Sequence, residues 1–282
     1  MPFPEALDGH VIDGHVHLMP QKLMAAIRKS LTEEAGWSFE HPTDRERMEE
    51  KLRSMGVERY VALPYAHKRG MARELNEWVL TRSRESEMAI PFATVHGDDD
   101  VAAVVREAFE AGARGLKFQC PVQGCGPADP RLDPAFEAAA EYDKPILFHA
   151  GTAPMFEDSP HVGAEKFAEF VESYPEIRAC AAHMGTFETG KFLNFARDHE
   201  NVFLDTTMAL SPRSADVLGF DADGISDETL VELAESVQFG TDFPNVPYPY
   251  EDERRGLLER ELPASVYEDL FRNTAERFLG ER

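Results

Sequence analysis

The sequence predicts a single (β/α)8 barrel of the TIM type, an α/β fold with a parallel sheet, filling residues 1–282 as one domain, with a C-terminal helix and a short insert after strand one. Three observations carry this expectation. Eight short apolar runs alternate with helix-like segments, the pattern of parallel strands joined by crossover helices. The 282 residues suit one barrel of about 250 residues, and no linker, repeat or low-complexity segment divides them. Reactive side chains also recur at the C-terminal ends of the apolar runs, where parallel α/β folds build their active sites.

Strand one is Val11 to Leu18. Strand side chains alternate faces, so His15 and His17 point one way and Val16 the other, which makes a two-nitrogen claw. Neutral imidazole suits zinc and related divalent ions, and a catalytic zinc takes three or more protein ligands plus an open position. A His-x-His pair also occurs in ordinary cores, so the rest of the chain must supply further ligands. Pro20 to Lys29 then reads as a short helix, and Ser30 to His41 as an irregular insert over the barrel mouth. Thr43 or Asp44 caps the helix that Gly56 ends.

Strand two is Arg59 to Ala66, with a helix over Ala72 to Ser86. Strand three is Ala89 to His96, and Asp98 to Asp100 complement the dipole of the helix that runs to Ala111. Strand four, Gly115 to Gln119, carries Lys117 and leads through the Pro/Gly-rich loop Pro121 to Pro130 to a helix at Asp133 to Tyr142. Strand five, Pro145 to Ala150, carries His149. A long connection, Gly151 to Gly163, shapes the substrate pocket before the helix Ala164 to Tyr174. Strand six, Ile177 to His183, ends at His183 and precedes a helix from Glu188 to His199. Strand seven is Val202 to Thr207. A polar segment, Ser211 to Gly224, and a helix, Asp227 to Glu235, lead to strand eight at Gln238 to Thr241, followed at once by Asp242. The last helix is Ala264 to Leu279.

Composition excludes several function classes. Hydrophobic residues make up 43%, enough for a sizeable core, yet no apolar run approaches the roughly 20 residues of a membrane span. Met1 to Asp8 has no signal-peptide pattern, and three cysteines, Cys120, Cys125 and Cys180, are too few for a disulfide framework, so a cytoplasmic protein is expected. Cys120 and Cys125 follow the Lys117 strand, where they either approach the metal or simply fill a loop. Fifty-two acidic side chains against 29 basic ones give a net charge of −23, which repels nucleic acid. Such an exterior also suits a halophilic source, since concentrated salt screens self-repulsion. The apolar stretch Phe243 to Tyr250 permits a homodimer.

His15-x-His17, His149, His183 and Asp242 together resemble the metal-site pattern of the amidohydrolase superfamily. The stretches Ile12-Asp13-Gly14-His15-Val16-His17, Gly240-Thr241-Asp242-Phe243-Pro244 and Arg272-Asn273-Thr274-Ala275-Glu276-Arg277-Phe278-Leu279 narrow the likeness to the amidohydrolase-related ("amidohydrolase 2") branch. That branch holds metal-dependent hydrolases, dicarboxylate lactonases and non-oxidative decarboxylases.

The resemblance implies one divalent metal, zinc first among zinc, manganese, iron and cobalt, held by His15, His17, His149 and Asp242. It implies that Asp242 moves the proton of the attacking water. His183 then orients the substrate carbonyl, or binds a second metal. Lys117 has three readings: carboxylated and bridging two metals, an ammonium that binds a substrate carboxylate, or a lysine snorkelling from the rim. Asp13 is placed on the face opposite the two histidines, as a structural hydrogen bonder. Tyr65, His96 and Gln119 are candidate substrate contacts. The implied activity is hydrolysis of an amide, ester or lactone in a small molecule, with decarboxylation of an unsaturated or aromatic acid as the alternative. A barrel that only binds is a third.

Overall fold

The computed structural model describes residue 7, residues 9–220 and residues 225–282. The N-terminal residues 1–6 and 8, and residues 221–224 at the end of the expected polar segment, lie outside them.

Eight strands form, in chain order, β1 (Val11–Val16), β2 (Val57–Ala62), β3 (Ala89–Pro91), β4 (Leu116–Phe118), β5 (Ile146–Phe148), β6 (Ala179–Ala181), β7 (Val202–Asp205) and β8 (Val237–Gln238). All ladders are parallel, in two sheets ordered β1-β2-β3 and β4-β5-β6-β7-β8. Backbone bonds join the sheets at both seams. Ala93 N donates to Gly115 O (2.9 Å) and Lys117 N to Ala93 O (2.8 Å) on one side; Gly14 N donates to Phe239 O (2.9 Å) and His17 N to Phe243 O (2.7 Å) on the other. The strands thus make a ring, as the alternation of apolar runs predicts.

Residues on alternate positions divide between two apolar layers. Ile12, Val61, Phe92, Leu147, Cys180 and Phe203 fill the inside. The outward set packs under the helices, where Phe118, Phe136, Phe148 and Phe170 stack with centroids 4.8–6.0 Å apart. At the end opposite the histidines, Phe278 closes the ring against Phe92 and Phe203. The last helix is fixed there by Arg272, which donates to His10 O and Glu58 beside the starts of β1 and β2.

The helices are α1 (Gln21–Ala35), α2 (Arg45–Ser54), α3 (Ala72–Arg84), α4 (Val101–Glu110), α5 (Cys120–Gln123), α6 (Asp133–Glu141), α7 (Ala164–Ser173), α8 (Thr189–Asp198), α9 (Ser214–Leu218), α10 (Asp227–Glu232), α11 (Glu251–Leu258), α12 (Ala264–Glu268) and α13 (Thr274–Phe278). Asp44 and Asp100 cap α2 and α4 as expected, accepting from Arg47 N (3.1 Å) and Ala103 N (3.3 Å). A π-helical turn, Asp269–Asn273, links α12 to α13.

Two expectations are corrected, and one open alternative is decided. The insert after strand one is helical as far as Ala35, because Ser30 bonds Glu34 and Gly36 supplies the left-handed stop at φ 69°. The apolar stretch Phe243–Tyr250 is no outer patch for a homodimer: Phe243, Val246, Tyr248 and Tyr250 are all buried within the chain, and α11 follows it. Cys120 and Cys125 are core residues and not ligands; burial pushes both thiols up, Cys125 to about 12.

Gly151, just past His149, has no room for a side chain. A Cβ there would stand 2.4 Å from Gly185 O, just past His183. Gly151→Ala is therefore expected to lower unfolding stability by roughly 1–3 kcal/mol through forced backbone separation. Gly190→Ala, in α8 with nothing within 4 Å, is expected to be neutral or slightly stabilising. Urea titrations of the two variants check this.

Candidate metal centre

The site forms where β1, β5, β6, β7 and β8 end. Strict alternation would put Asp13 on the same face as His15 and His17. The ladder instead slips between Asp13 and Val16, three residues of β1 passing two of β2, and this bulge turns the histidines inward while Asp13 faces out. Asp13 accepts from Thr241 Oγ1 (2.7 Å), Tyr250 OH (3.1 Å) and His15 N (3.1 Å), the structural role expected of it. Burial raises its carboxyl to about 7.

Hydrogen bonds fix which imidazole nitrogen is free. His15 Nδ1 faces Asp205 Oδ2 at 2.9 Å and His17 Nδ1 faces Leu63 O at 2.9 Å. These partners can only accept, so both Nδ1 atoms carry hydrogen, and the His15 ring, which burial keeps neutral, has its lone pair on Nε2. Asp242 Oδ1 lies 2.8 Å from His17 Nε2 and 3.5 Å from His15 Nε2. The ligand atoms of His15, His17 and Asp242 lie within 4.8 Å of one another, and His15 Nε2 is buried without a partner. Two imidazole nitrogens and a carboxylate oxygen converging this closely make a donor set that fits a divalent metal.

His149 and His183 adjoin the trio. His183 Nδ1 lies 3.1 Å from Thr207 O, so it donates and His183 Nε2 accepts from His149 Nδ1 at 3.1 Å. His149 Nε2 is thereby left bare and buried, but it is not one of the three donors that converge within 4.8 Å. Burial keeps His15, at about 4, and His149 and His183 below their usual values, hence neutral and able to ligate. Burial opposes ionisation of Asp242, but the close contact with His17 outweighs it and holds the carboxyl well below the usual range. His183 and Asp242 both sit in left-handed backbone, φ 57° and 61°, a strain that turns their side chains toward one centre.

The residue that sequence reading missed is Asp205. Its Oδ2 accepts from His15 Nδ1, and its Oδ1 from His183 N (2.9 Å) and Thr207 N (3.2 Å). Despite full burial, His15 and these bonds keep its carboxyl at about 2. An acidic residue closing the apolar run Val202-Phe203-Leu204 is the signal that singled out Asp242, and it could have found Asp205 as well.

A cavity lies above the trio, lined by His17, Tyr65, Gln119, His149, His183 and Asp242 and by apolar side chains from α1, the 153–156 loop and α9. Tyr65 meets the His17 ring edge-on at 5.4 Å. Two expectations change here. His96 does not line the cavity; its Nδ1 accepts from Asp98 N at 3.2 Å in a local turn. Lys117 is neither at the rim nor in the cavity wall. Its Nζ is fully buried without a partner inside the ring, and burial lowers it to about 8.

The fold and centre define a TIM barrel with a His-His-Asp metal-type site at the C-terminal mouth. The chain belongs to the amidohydrolase family, whose model matches residues 12–280. No curated protein matches the sequence. Among solved structures, an uncharacterised TIM-barrel protein of Bordetella bronchiseptica is similar at TM-score 0.77 and 17% identity, covering 96% of this chain and 98% of that one. A manganese-bound 5-carboxyvanillate decarboxylase of Novosphingobium aromaticivorans is similar at 0.64 and 14%, over 96% and 97%. A putative 2-pyrone-4,6-dicarboxylic acid hydrolase of Pseudomonas putida gives 0.66 and 14%, over 96% and 97%. These likenesses show the fold.

Two outcomes are expected. Asp205→Asn turns an acceptor into a mixed group and lets His15 take the other tautomer, so metal affinity falls roughly 10–100-fold, read by competition with a chelator. Lys117 has a folded pKa of about 8 against the ordinary 10.5, so between these values the unfolded chain binds more protons. Its contribution makes metal-free protein gain stability as pH rises from 8 to 10.5. Lys117→Met removes that rise and stabilises at pH 7 by a few kcal/mol at most, measured by denaturation across pH.

Proposed function

We propose that the chain is a metal-dependent hydrolase directing water at the carbonyl of an amide, ester or lactone in a small molecule. The observation that carries this reading is the convergence of His15 Nε2, His17 Nε2 and the ionised Asp242 carboxylate beneath the cavity. His15, His17 and Asp242 hold one divalent ion, zinc by expectation, with His149 as the fourth donor. Such an ion acts as a Lewis acid and brings the pKa of water from 15.7 towards about 7.

The chain's own groups do the rest. Asp242 Oδ1 faces the histidines, leaving Oδ2 to accept the proton of the attacking water and return it to the leaving group. His183, held by Thr207 O and the His149 imidazole, borders the cavity and orients the carbonyl. Tyr65 and Gln119 are the wall contacts. The full set works as one barrel unit, and the acidic exterior fits a salt-rich cytoplasm. A second reading, decarboxylation of an aromatic acid with His183 or Asp242 protonating carbon, is favoured by the apolar cavity walls.

Metal-loaded protein incubated with lactones and aromatic acids, with acid release and CO2 followed together, tests the assignment. Acid release that stops on chelation, and falls about 10²–10⁴-fold in Asp242→Asn, is the expected result. CO2 without acid release replaces hydrolysis by decarboxylation. No turnover and no retained metal leaves a barrel that only binds.

A further inference from the structure

The cavity has an uneven distribution of charge. Its floor carries the ligand trio, with the Lys117 ammonium sealed beneath it. Among the described residues its walls contain no lysine or arginine: Ile27, Leu31, Trp37, Phe156, Met208 and Leu218 are apolar, and the polar wall groups, such as Gln119 and Asn245, are neutral. Arg28 stands nearest on the sequence to these wall residues of α1 and would be the natural cation for a ligand's outer end. The structure turns it to another use.

Arg28 Nη1 donates to His41 O (2.8 Å), Nη2 to Pro244 O (2.6 Å) and Nε to Asn245 Oδ1 (3.3 Å). Its guanidinium lies over the Phe39 ring at 5.1 Å. Three directions of its planar fork and one face are thus committed to fastening α1 and the following loop onto the segment just past Asp242. Asn245 in turn donates its backbone N–H to Asp242 O at 2.9 Å. Arg28 is a strut between lid and metal loop.

We propose that the site selects a ligand with one anionic or carbonyl pole for the floor and an uncharged, largely apolar body, and that it rejects a second carboxylate. This rests on the metal-centred reading above and deepens it. A ligand with carboxylates at both ends would bury one against apolar walls with no cation to pair it, inside a protein that already carries a net charge of −23. Neutral amides can still serve a hydroxyl or ester on the body: Asn245 Oδ1 is bound by Arg28, which leaves its Nδ2 as donor.

Three probes of one shape separate charge from size: benzoate, isophthalate and monomethyl isophthalate. Their binding to manganese-loaded protein is measured by calorimetry, with bound manganese assayed on the same samples. Benzoate and the monomethyl ester should bind comparably, and isophthalate roughly tenfold or more weakly. Val122→Arg, at a partly exposed wall position, should recover most of the isophthalate loss. Isophthalate binding as tightly as benzoate, the ester binding as weakly as isophthalate, or no binding of any probe overturns the inference while the metal reading stands. Protein that retains no manganese overturns both.

Discussion

One buried carboxylate organises the mouth of this barrel. Asp205 receives the His15 ring on one oxygen and the backbone of His183 and Thr207 on the other. It fixes a tautomer on β1, the turn that ends β6 and the start of the loop after β7 at once. A fully buried anion is tolerable only when its lone pairs are met, and here each bond that meets them also places part of the site. The neutral, outward-bare His15 Nε2 is a direct result.

The remaining imidazoles follow the same logic of consumed protons. Leu63 O holds the His17 hydrogen, Thr207 O the His183 hydrogen, and His183 the His149 hydrogen. His15 and His149 are left with bare, buried Nε2 atoms, while both His183 nitrogens are engaged. Against them Asp242 supplies the negative charge. The backbone cost of the arrangement is visible in the left-handed residues His183 and Asp242, which the surrounding ladder and the close Gly151–Gly185 approach hold in place.

Much of this was legible in the sequence, because period-two apolar runs and their terminal residues are local signals. The eight strands, the caps at Asp44 and Asp100, and His15, His17, His149, His183 and Asp242 at the mouth were all readable. Asp13 was placed on its correct face, but for a reason that lies in a bulge and not in alternation. What could not be read depends on distant partners. Lys117 is enclosed because the ring closes around it, His96 is drawn into a turn by Asp98, and Phe243–Tyr250 is covered by the fold. Asp205 was legible yet passed over: it closes the apolar run Val202-Phe203-Leu204, but the His15 and His183 groups that give it a role are distant in sequence.

The closing of the ring by Phe278 has a bearing on how the protein is made. The seal against Phe92 and Phe203 comes about 40 residues after β8, which itself completes the seam with β1. Nascent strands β1 to β7 therefore present an unsealed apolar lumen throughout synthesis. Loss of the segment that carries Phe278 would injure this barrel far more than its distance from the His15, His17 and Asp242 trio suggests.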